Sequence, residues 1–191
     1  YGTTVISDEI HADLVFPGII HTPFDVVARR HGIQAVTCMA PSKTFNIPGE
    51  HFSVAVFSNP EAKKLFITRM ESLHLRPTLF STVTAVAAYQ GGRAWLTALV
   101  DYLEKQASHI EEYLESNCPA LLFVKPQASF IGLIDCQSIL EHVRLDAALH
   151  SSLYEAATSP EGGLLSRFFG QRAGVAMHDG TWFGSPYGRF V

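Results

Sequence analysis

The chain has 191 residues, of which 47 % are hydrophobic and 17 % are charged, a composition ordinary for a globular protein with a substantial core. Its formal net charge of −4 argues against a nucleic-acid or anionic-membrane surface, since both need clustered Lys and Arg. No apolar stretch approaches the roughly 18 residues of a membrane span. The three cysteines, Cys38, Cys118 and Cys136, form no CxxC pair, and we expect reduced thiols in a cytoplasmic protein.

The first 92 residues predict short strands followed by helices. In chain order, these elements are strands at 3–6, 35–39 and 53–57, then helices from about 60 to 75 and from 78 to 89. Asn59-Pro60-Glu61 supplies an N-cap, a Pro at the first helical position and an acid in the first turn. Gly91-Gly92 ends the second helix. We therefore expect an α/β unit over 1–92 with a domain boundary at its end.

The second half is predicted to open with a long amphipathic helix over 93–117, because its apolar residues recur at intervals of three and four. In chain order, it is followed by strands at 121–124 and 130–134, a helix from about 145 to 157, and a Gly-rich segment from 162. We expect an α+β unit over 93–191. The chain lacks an initial Met and stops inside an apolar pattern, so we expect it to be part of a longer protein.

Two predicted strand ends carry residues with a joint chemical use. Asp8 follows the first strand and Lys43 lies in a loop after the second, and ligands collect at the carboxyl ends of parallel strands. Pyridoxal phosphate needs a carboxylate beside its ring nitrogen and a lysine that forms a Schiff base with its aldehyde. His11 would support the ring, and Ser42 would donate to the phosphate. Once displaced, Lys43 would remove the substrate Cα proton, for which burial and the cationic cofactor must lower its pKa.

Other interpretations of the same residues are open. The segment 5–11, VISDEIH, also matches the DExH box of helicases, in which the Asp and Glu serve magnesium and water. No Arg-rich stretch follows at the expected distance, which weighs against that interpretation. A metal site formed by Asp8, Glu9, His11 and His21 is disfavoured because no spacing such as HExxH fixes it. Taken singly, each residue also fits a cap, a solvated turn or a surface charge.

Four segments carry a resemblance to a known family. They are 7–14 (SDEIHADL), 41–47 (PSKTFNI), 89–96 (YQGGRAWL) and 174–184 (GVAMHDGTWFG). In this order they resemble the fold-type I pyridoxal phosphate enzymes of the class I/II aminotransferase family, and most of all its cystathionine β-lyase-like (C–S lyase) branch. The similarity runs over nearly the whole chain but corresponds to about the C-terminal half of such an enzyme.

The resemblance implies a fold, a cofactor and roles. Residues 1–92 would be the C-terminal part of the cofactor-binding large domain, and 93–191 the connecting helix and the small domain of a homodimer. Asp8 would pair with the pyridine nitrogen, His11 would lie near the ring hydroxyl, and Lys43 would carry the cofactor. The loop 179–184 would close near a small amino-acid substrate. In the lyase branch, the products would be a thiol, pyruvate and ammonia.

Departures from the family pattern bear on cofactor binding. Ala40 stands where a phosphate-binding Ser or Thr is usual, and His51 stands where relatives often have Arg. We expect the family's N-terminal half, with its phosphate loop and ring-stacking aromatic residue, to lie outside this chain. The substrate-carboxylate Arg would follow Val191, so Arg189 is not assigned that role. By itself the chain is expected to be inactive.

The activity has alternatives at this stage. An aminotransferase would use the same Asp8 and Lys43, and the sequence does not separate it from a lyase. A non-catalytic regulatory relative would fit the lost phosphate contacts at Ala40 and His51.

Overall fold

The computed structural model describes residues 3–142 and 163–191. Two compact units emerge, the first made of Tyr1–Glu104 and Gln127–Ser129 and the second of Lys105–Pro126 and Phe130–Val191. The predicted boundary near residues 91–92 stays a prediction. The predicted helix at 145–157 lies outside the described residues.

The described chain contains the following strands and α-helices. They are β1 (Val5–Asp8), α1 (Phe24–Arg30), β2 (Ala35–Met39), α2 (Pro41–Thr44), β3 (Val54–Phe57), α3 (Pro60–Ser72), α4 (Leu79–Gly91), α5 (Arg93–Asn117), β4 (Leu122–Val124), β5 (Leu133–Asp135), α6 (Gln137–His142) and α7 (Leu164–Ala173). Short 3₁₀ helices lie at Ala12–Leu14, Pro48–Glu50, Gly180–Phe183 and Ser185–Tyr187.

The first unit is built on a three-stranded sheet in the order β1-β2-β3. β1 runs parallel to β2, with Asp8 opposite Cys38, and β3 runs antiparallel to β2, with Val54 opposite Met39. The carboxyl ends of β1 and β2 therefore lie at one edge of the sheet. β3 begins at this same edge, because it runs antiparallel to β2, so the chain between α2 and β3 stays there.

Two helices of the first unit, α3 and α4, begin at residues whose side chains cap them. The Asn59 side chain accepts hydrogen bonds from the Glu61 and Ala62 N–H groups at the start of α3, and Thr78 accepts from the Ser81 N–H at the start of α4. α1 contacts β2, α3 contacts β3, and α4 contacts α2. The buried side chains of this unit include Leu14, Phe16, Ala28, Ala35, Ala85 and Val100.

The second unit has a separate core. Cys136, Leu165 and Phe169 form its buried centre, and the antiparallel pair β4-β5 contributes Ile134 to the surrounding layer. Burial, reinforced by the Asp135 and Asp179 charges, raises the pKa of the Cys136 thiol to about 12, so this cysteine stays protonated at neutral pH.

Asp179 ties two segments of the second unit together. Its side chain is 1 % exposed and accepts hydrogen bonds from the backbone N–H groups of Ser166 (3.3 Å), near the start of α7, and Thr181 (3.0 Å). The Thr181 hydroxyl donates to the same carboxylate at 2.5 Å. Because a buried carboxylate needs such donors, Asp179 stabilises the junction between α7 and the following 3₁₀ helix.

Comparison with the sequence predictions gives both confirmations and corrections. The helix over 93–117 and the strand over 35–39 are confirmed residue for residue, and the capped start of α3 at Asn59 is confirmed. β1 lies two residues later than predicted, because its backbone pairs with β2 over Val5–Asp8. The prediction of a lysine loop was wrong. Pro41 begins a one-turn helix there, and the Phe45 N–H donates to the Pro41 carbonyl at its end.

Other elements were not foreseen. α1 and α6 were not predicted, and the segment from 162, described only as Gly-rich, contains the helix α7. Gly163 precedes that helix, and Gly174 ends it with a φ of 67° that favours glycine. These glycines thus mark the ends of a helix. Among the described residues, no helix is both long enough and apolar enough to span a bilayer.

Candidate active site

The sheet edge brings the predicted site residues together. Asp8 is the last residue of β1, and the Glu9 N–H extends the pairing by donating to the Cys38 carbonyl on β2 (2.9 Å). α2, which carries Ser42 and Lys43, begins two residues after β2. The parallel pairing of β1 and β2 therefore places the Asp8 strand end and the Lys43 helix at the same edge.

Asp8 and His11 differ in their surroundings. The exposed Asp8 carboxylate accepts one hydrogen bond among the described residues, from the Ile10 N–H (3.2 Å). The half-buried His11 ring shares a 2.8 Å hydrogen bond between its Nδ1 and the Ser129 hydroxyl. Burial lowers the pKa of His11, the Lys43 charge lowers it further, and the Asp8 charge opposes both. His11 thus senses both charged groups and is mainly neutral at neutral pH.

We call α2 the lysine helix, and the residues on it and around it include two departures from the family pattern. Lys43 is exposed and Ser42 is half-buried. The burial that we expected for the Lys43 amine is therefore not supplied by the described residues. Ala40 occupies the N-cap of α2 and has no side-chain hydroxyl to cap it. His51 is exposed and has a left-handed backbone with φ 48°. The predicted phosphate contact of Ser42 stays a prediction.

Glu9 is a structural residue beside Asp8. It is only 8 % exposed and accepts hydrogen bonds from His21 Nε2 (2.7 Å), the Phe24 N–H (2.9 Å) and the Ser7 hydroxyl (3.1 Å). Burial alone would raise the pKa of Glu9, but these donors together lower it below its ordinary value. Glu9 and His21, two members of the disfavoured metal set, therefore bind each other. Among residues 3–142 and 163–191, no group of three metal-ligating side chains comes together.

Thr44, the residue after Lys43, belongs to a hydrogen-bond network that the sequence analysis missed. The Thr44 hydroxyl donates to Asp13 Oδ2 at 2.9 Å, and the Tyr89 hydroxyl donates to the same oxygen at 3.4 Å. Burial raises the pKa of Tyr89, and the Asp13 charge raises it further, so its phenol remains a donor. Both Asp13 and Thr44 flank predicted site residues, but only the fold reveals that they meet. We call Asp13, Thr44 and Tyr89 the Asp13 network.

The segment 89–96 of the resemblance packs against the same helix. The Phe45 ring lies edge-on to Tyr89 (centroids 5.2 Å apart) and tilted against Trp95 (6.1 Å). Gly92 permits this approach, because a Cβ there would lie 2.5 Å from the Phe45 ring and 2.5 Å from the Ala88 carbonyl oxygen. The YQGGRAWL motif thus supports the end of the lysine helix.

In the second unit, Arg189 has a structural partner. Its guanidinium lies 3.1 Å from the Asp135 carboxylate and 4.9 Å from the centroid of the Phe190 ring. Leaving Arg189 out of the substrate-carboxylate role stays a prediction.

With this geometry established, comparison with known proteins identifies the class. The model of the family "Aminotransferase class I and II" matches residues 1–183, and the chain belongs to that family. The family is pyridoxal phosphate-dependent, which confirms the predicted fold class and cofactor class at the level of the family.

Individual relatives favour the C–S lyase branch. The chain is 38 % identical over 136 residues to cystathionine beta-lyase PatB of Bacillus subtilis. This match covers 71 % of the present chain and 35 % of PatB. The chain is 30 % identical over 141 residues to protein MalY of Escherichia coli, which covers 73 % of this chain and 35 % of MalY. The chain therefore spans about a third of the length of these curated relatives.

A solved structure supports the same branch. The pyridoxal phosphate-bound C–S lyase from Staphylococcus hominis superimposes with a TM-score of 0.73 at 27 % sequence identity. The match covers 97 % of this chain and 42 % of the lyase chain. The predicted resemblance to fold-type I enzymes of the C–S lyase branch is confirmed.

Proposed function

We propose that the full-length protein is a pyridoxal phosphate-dependent carbon–sulfur β-lyase that acts on cystathionine- or cysteine-type amino acids. One observation carries this proposal: Asp8, His11 and Lys43 meet at one sheet edge in a chain related to C–S lyases. We also propose a homodimer in the cytoplasm, and the free state of all three cysteines supports that compartment.

The donor set fits the cofactor. The Asp8 carboxylate is exposed and accepts only one backbone hydrogen bond among the described residues, so it can pair with a protonated ring nitrogen. The exposed Lys43 amine can bind the aldehyde, and the half-buried His11 ring can lie beside the ring hydroxyl. When bound, pyridoxal phosphate withdraws electrons from the substrate Cα.

The chain's residues would then direct the proton. Lys43 would take the proton from Cα, and Asp8 would keep the ring nitrogen protonated. Loss of this proton allows the Cβ–S bond to break with its electron pair leaving on sulfur. With one water, the overall reaction converts the amino acid into a thiol, pyruvate and ammonia. The loop 179–184 is proposed to close near the substrate.

The test is incubation of the full-length protein with pyridoxal phosphate, borohydride reduction and peptide mapping. We expect a pyridoxyl group on Lys43 that is absent in Lys43→Ala and unchanged in the control Lys64→Ala, whose lysine is exposed on α3. Pyruvate release from cystathionine should likewise disappear only in Lys43→Ala. A folded dimer without any adduct would refute the catalytic proposal and favour a regulatory relative.

An aminotransferase is the second candidate, because the matching family model is that of class I and II aminotransferases. It would use Asp8 and Lys43 in the same way but would return the proton to the cofactor. Keto-acid-dependent amine transfer with little pyruvate release would identify it.

A further inference from the structure

We propose that Asp13 and Thr44 are positioning residues for Lys43, although neither is assigned a contact with cofactor or substrate. This inference rests on the proposed function, because it concerns the delivery of the Lys43 amine to the cofactor aldehyde. It assigns a role to the Asp13 network described above.

The lysine helix cannot fix its own orientation. α2 has only four residues, and isolated helices shorter than about 12–15 residues are marginal in water. Its N-cap is Ala40, which offers no side-chain acceptor to its first N–H groups. The direction of the Lys43 side chain therefore depends on contacts that α2 makes with the rest of the first unit.

Thr44 makes the best-defined of these contacts. It follows Lys43 directly, is 0 % exposed, and donates its hydroxyl to Asp13 Oδ2 at 2.9 Å. A hydrogen bond from a fully buried hydroxyl to a carboxylate is shielded from competing water. This bond holds the last residue of α2 in one orientation and so limits the positions of the preceding Lys43.

Asp13 is in turn anchored to the segment that carries Asp8 and His11. It lies in the 3₁₀ helix Ala12–Leu14, whose Leu14 side chain is 0 % exposed. The Leu14 carbonyl accepts from the Ser129 N–H at 2.8 Å, and the Ser129 hydroxyl bonds His11. The Asp13–Thr44 bond therefore joins the strand end that would hold the ring to the helix that would hold the aldehyde.

Tyr89 adds a weaker third member. Its hydroxyl reaches Asp13 at 3.4 Å, and its ring contacts Phe45, the residue after Thr44. A longer bond at an exposed position should contribute less than the Thr44 bond. This difference gives the network an internal order of effects that can be measured.

The experiment compares two ligands in the full-length protein. Pyridoxal phosphate reports capture by Lys43 through its absorbance change, whereas pyridoxamine phosphate has the same ring and phosphate but no aldehyde to capture. We expect Thr44→Val and Asp13→Asn to slow capture about tenfold, which corresponds to about 1.4 kcal/mol. Their pyridoxamine phosphate dissociation constants should stay within about twofold of the wild-type value.

Matched variants separate positioning from general damage. Thr44→Ser keeps the hydroxyl and should restore capture, and Tyr89→Phe should slow it only about two- to threefold. Thr82→Val is the control, because this exposed threonine donates its hydroxyl to the Thr78 carbonyl at the start of its own helix. If Thr44→Val does not fold, Asp13→Asn and Tyr89→Phe carry the test.

Wild-type capture rates in Asp13→Asn, Tyr89→Phe and any Thr44→Val protein that folds would overturn the inference that these residues position Lys43. They would leave the proposed function standing. Equal losses in capture and in pyridoxamine phosphate affinity would also overturn it, because the network would then only support the fold. No capture by the wild-type protein would overturn the proposed function and this inference with it.

Discussion

The two units each contain an acid from a family-like motif, and the two acids are treated in opposite ways. Asp8, at the sheet edge of the first unit, is exposed and accepts one backbone hydrogen bond among the described residues. Asp179, in the second unit, is 1 % exposed and accepts three. A carboxylate whose own chain supplies its donors stabilises the fold, whereas one left exposed can serve a ligand. The motif letters alone do not make this distinction.

The largest effect should come from Asp179. Removing its carboxylate in Asp179→Ala leaves the Ser166 and Thr181 donors without an acceptor, and we expect a loss of about 3 kcal/mol in unfolding free energy. Urea denaturation of the full-length protein measures it. The control Glu111→Gln, which breaks the exposed ion pair with Lys125, should cost less than about 1 kcal/mol. Equal losses in both variants would remove the distinction between the two kinds of acid.

Glu9 sharpens the comparison because it adjoins Asp8 but, like Asp179, is buried and accepts several hydrogen bonds. In Glu9→Gln a single amide oxygen replaces the carboxylate that accepts from three donors. We therefore expect the free energy of unfolding to fall by about 2 kcal/mol at neutral pH. The exposed Glu71→Gln on α3 is the matched control and should change stability by less than about 0.5 kcal/mol.

The Glu9 effect should depend on pH in a definite direction. Because the folded state lowers the pKa of Glu9, its contribution is complete above the ordinary value of 4.5. It is lost as pH falls below that value and through the lower folded-state pKa. The stability difference between wild type and Glu9→Gln should therefore shrink on acidification. A difference that stays constant across this range would contradict the assignment.

Asp8 should show the reverse pattern. Since its carboxylate makes one exposed backbone contact, we expect Asp8→Ala to change the unfolding free energy of the cofactor-free protein by only about 0.5 kcal/mol. The same variant should lose retention of pyridoxal phosphate during dialysis. A large stability loss with normal cofactor retention would show that Asp8, like Asp179, stabilises the fold and does not bind the cofactor.

The smallest effect is a change in the pKa of His11. Lys43 lowers this pKa and Asp8 raises it, so Lys43→Ala should raise it and Asp8→Asn should lower it further. NMR titration of the cofactor-free, full-length protein measures both directions, with Lys64→Ala as the unchanged control. Shifts in the same direction in both variants would show that the three groups do not share one site.

Much of the fold could be predicted because its signals are local. The cap at Asn59 and the spacing of apolar residues over 93–117 lie within a few residues of the elements they define. Asp8 and Lys43 could be proposed as site residues for a related reason, since Asp8 lies at the end of one recognisable strand and Lys43 follows another. The antiparallel direction of β3 has no comparable local signal, because it depends on pairing with β2.

The supporting residues of the site were missed for the same physical reason. Asp13 and Thr44 are 31 positions apart, and their hydrogen bond exists only once α2 packs beside the 3₁₀ helix. The available signal was indirect: a hydroxyl directly after the lysine and an acid two residues after His11. α2 itself was missed because Pro41 fits both a loop and a helix start.

The contact between Gly92 and the Phe45 ring also has an evolutionary consequence. A Cβ at position 92 would meet the Ala88 carbonyl oxygen as well as the Phe45 ring, so a smaller side chain at position 45 would relieve only one of the two contacts. A lineage is therefore free to reduce residue 45, but that change does not open position 92 to a larger residue. Natural variants should keep Gly at 92 even where the residue at 45 is smaller than Phe.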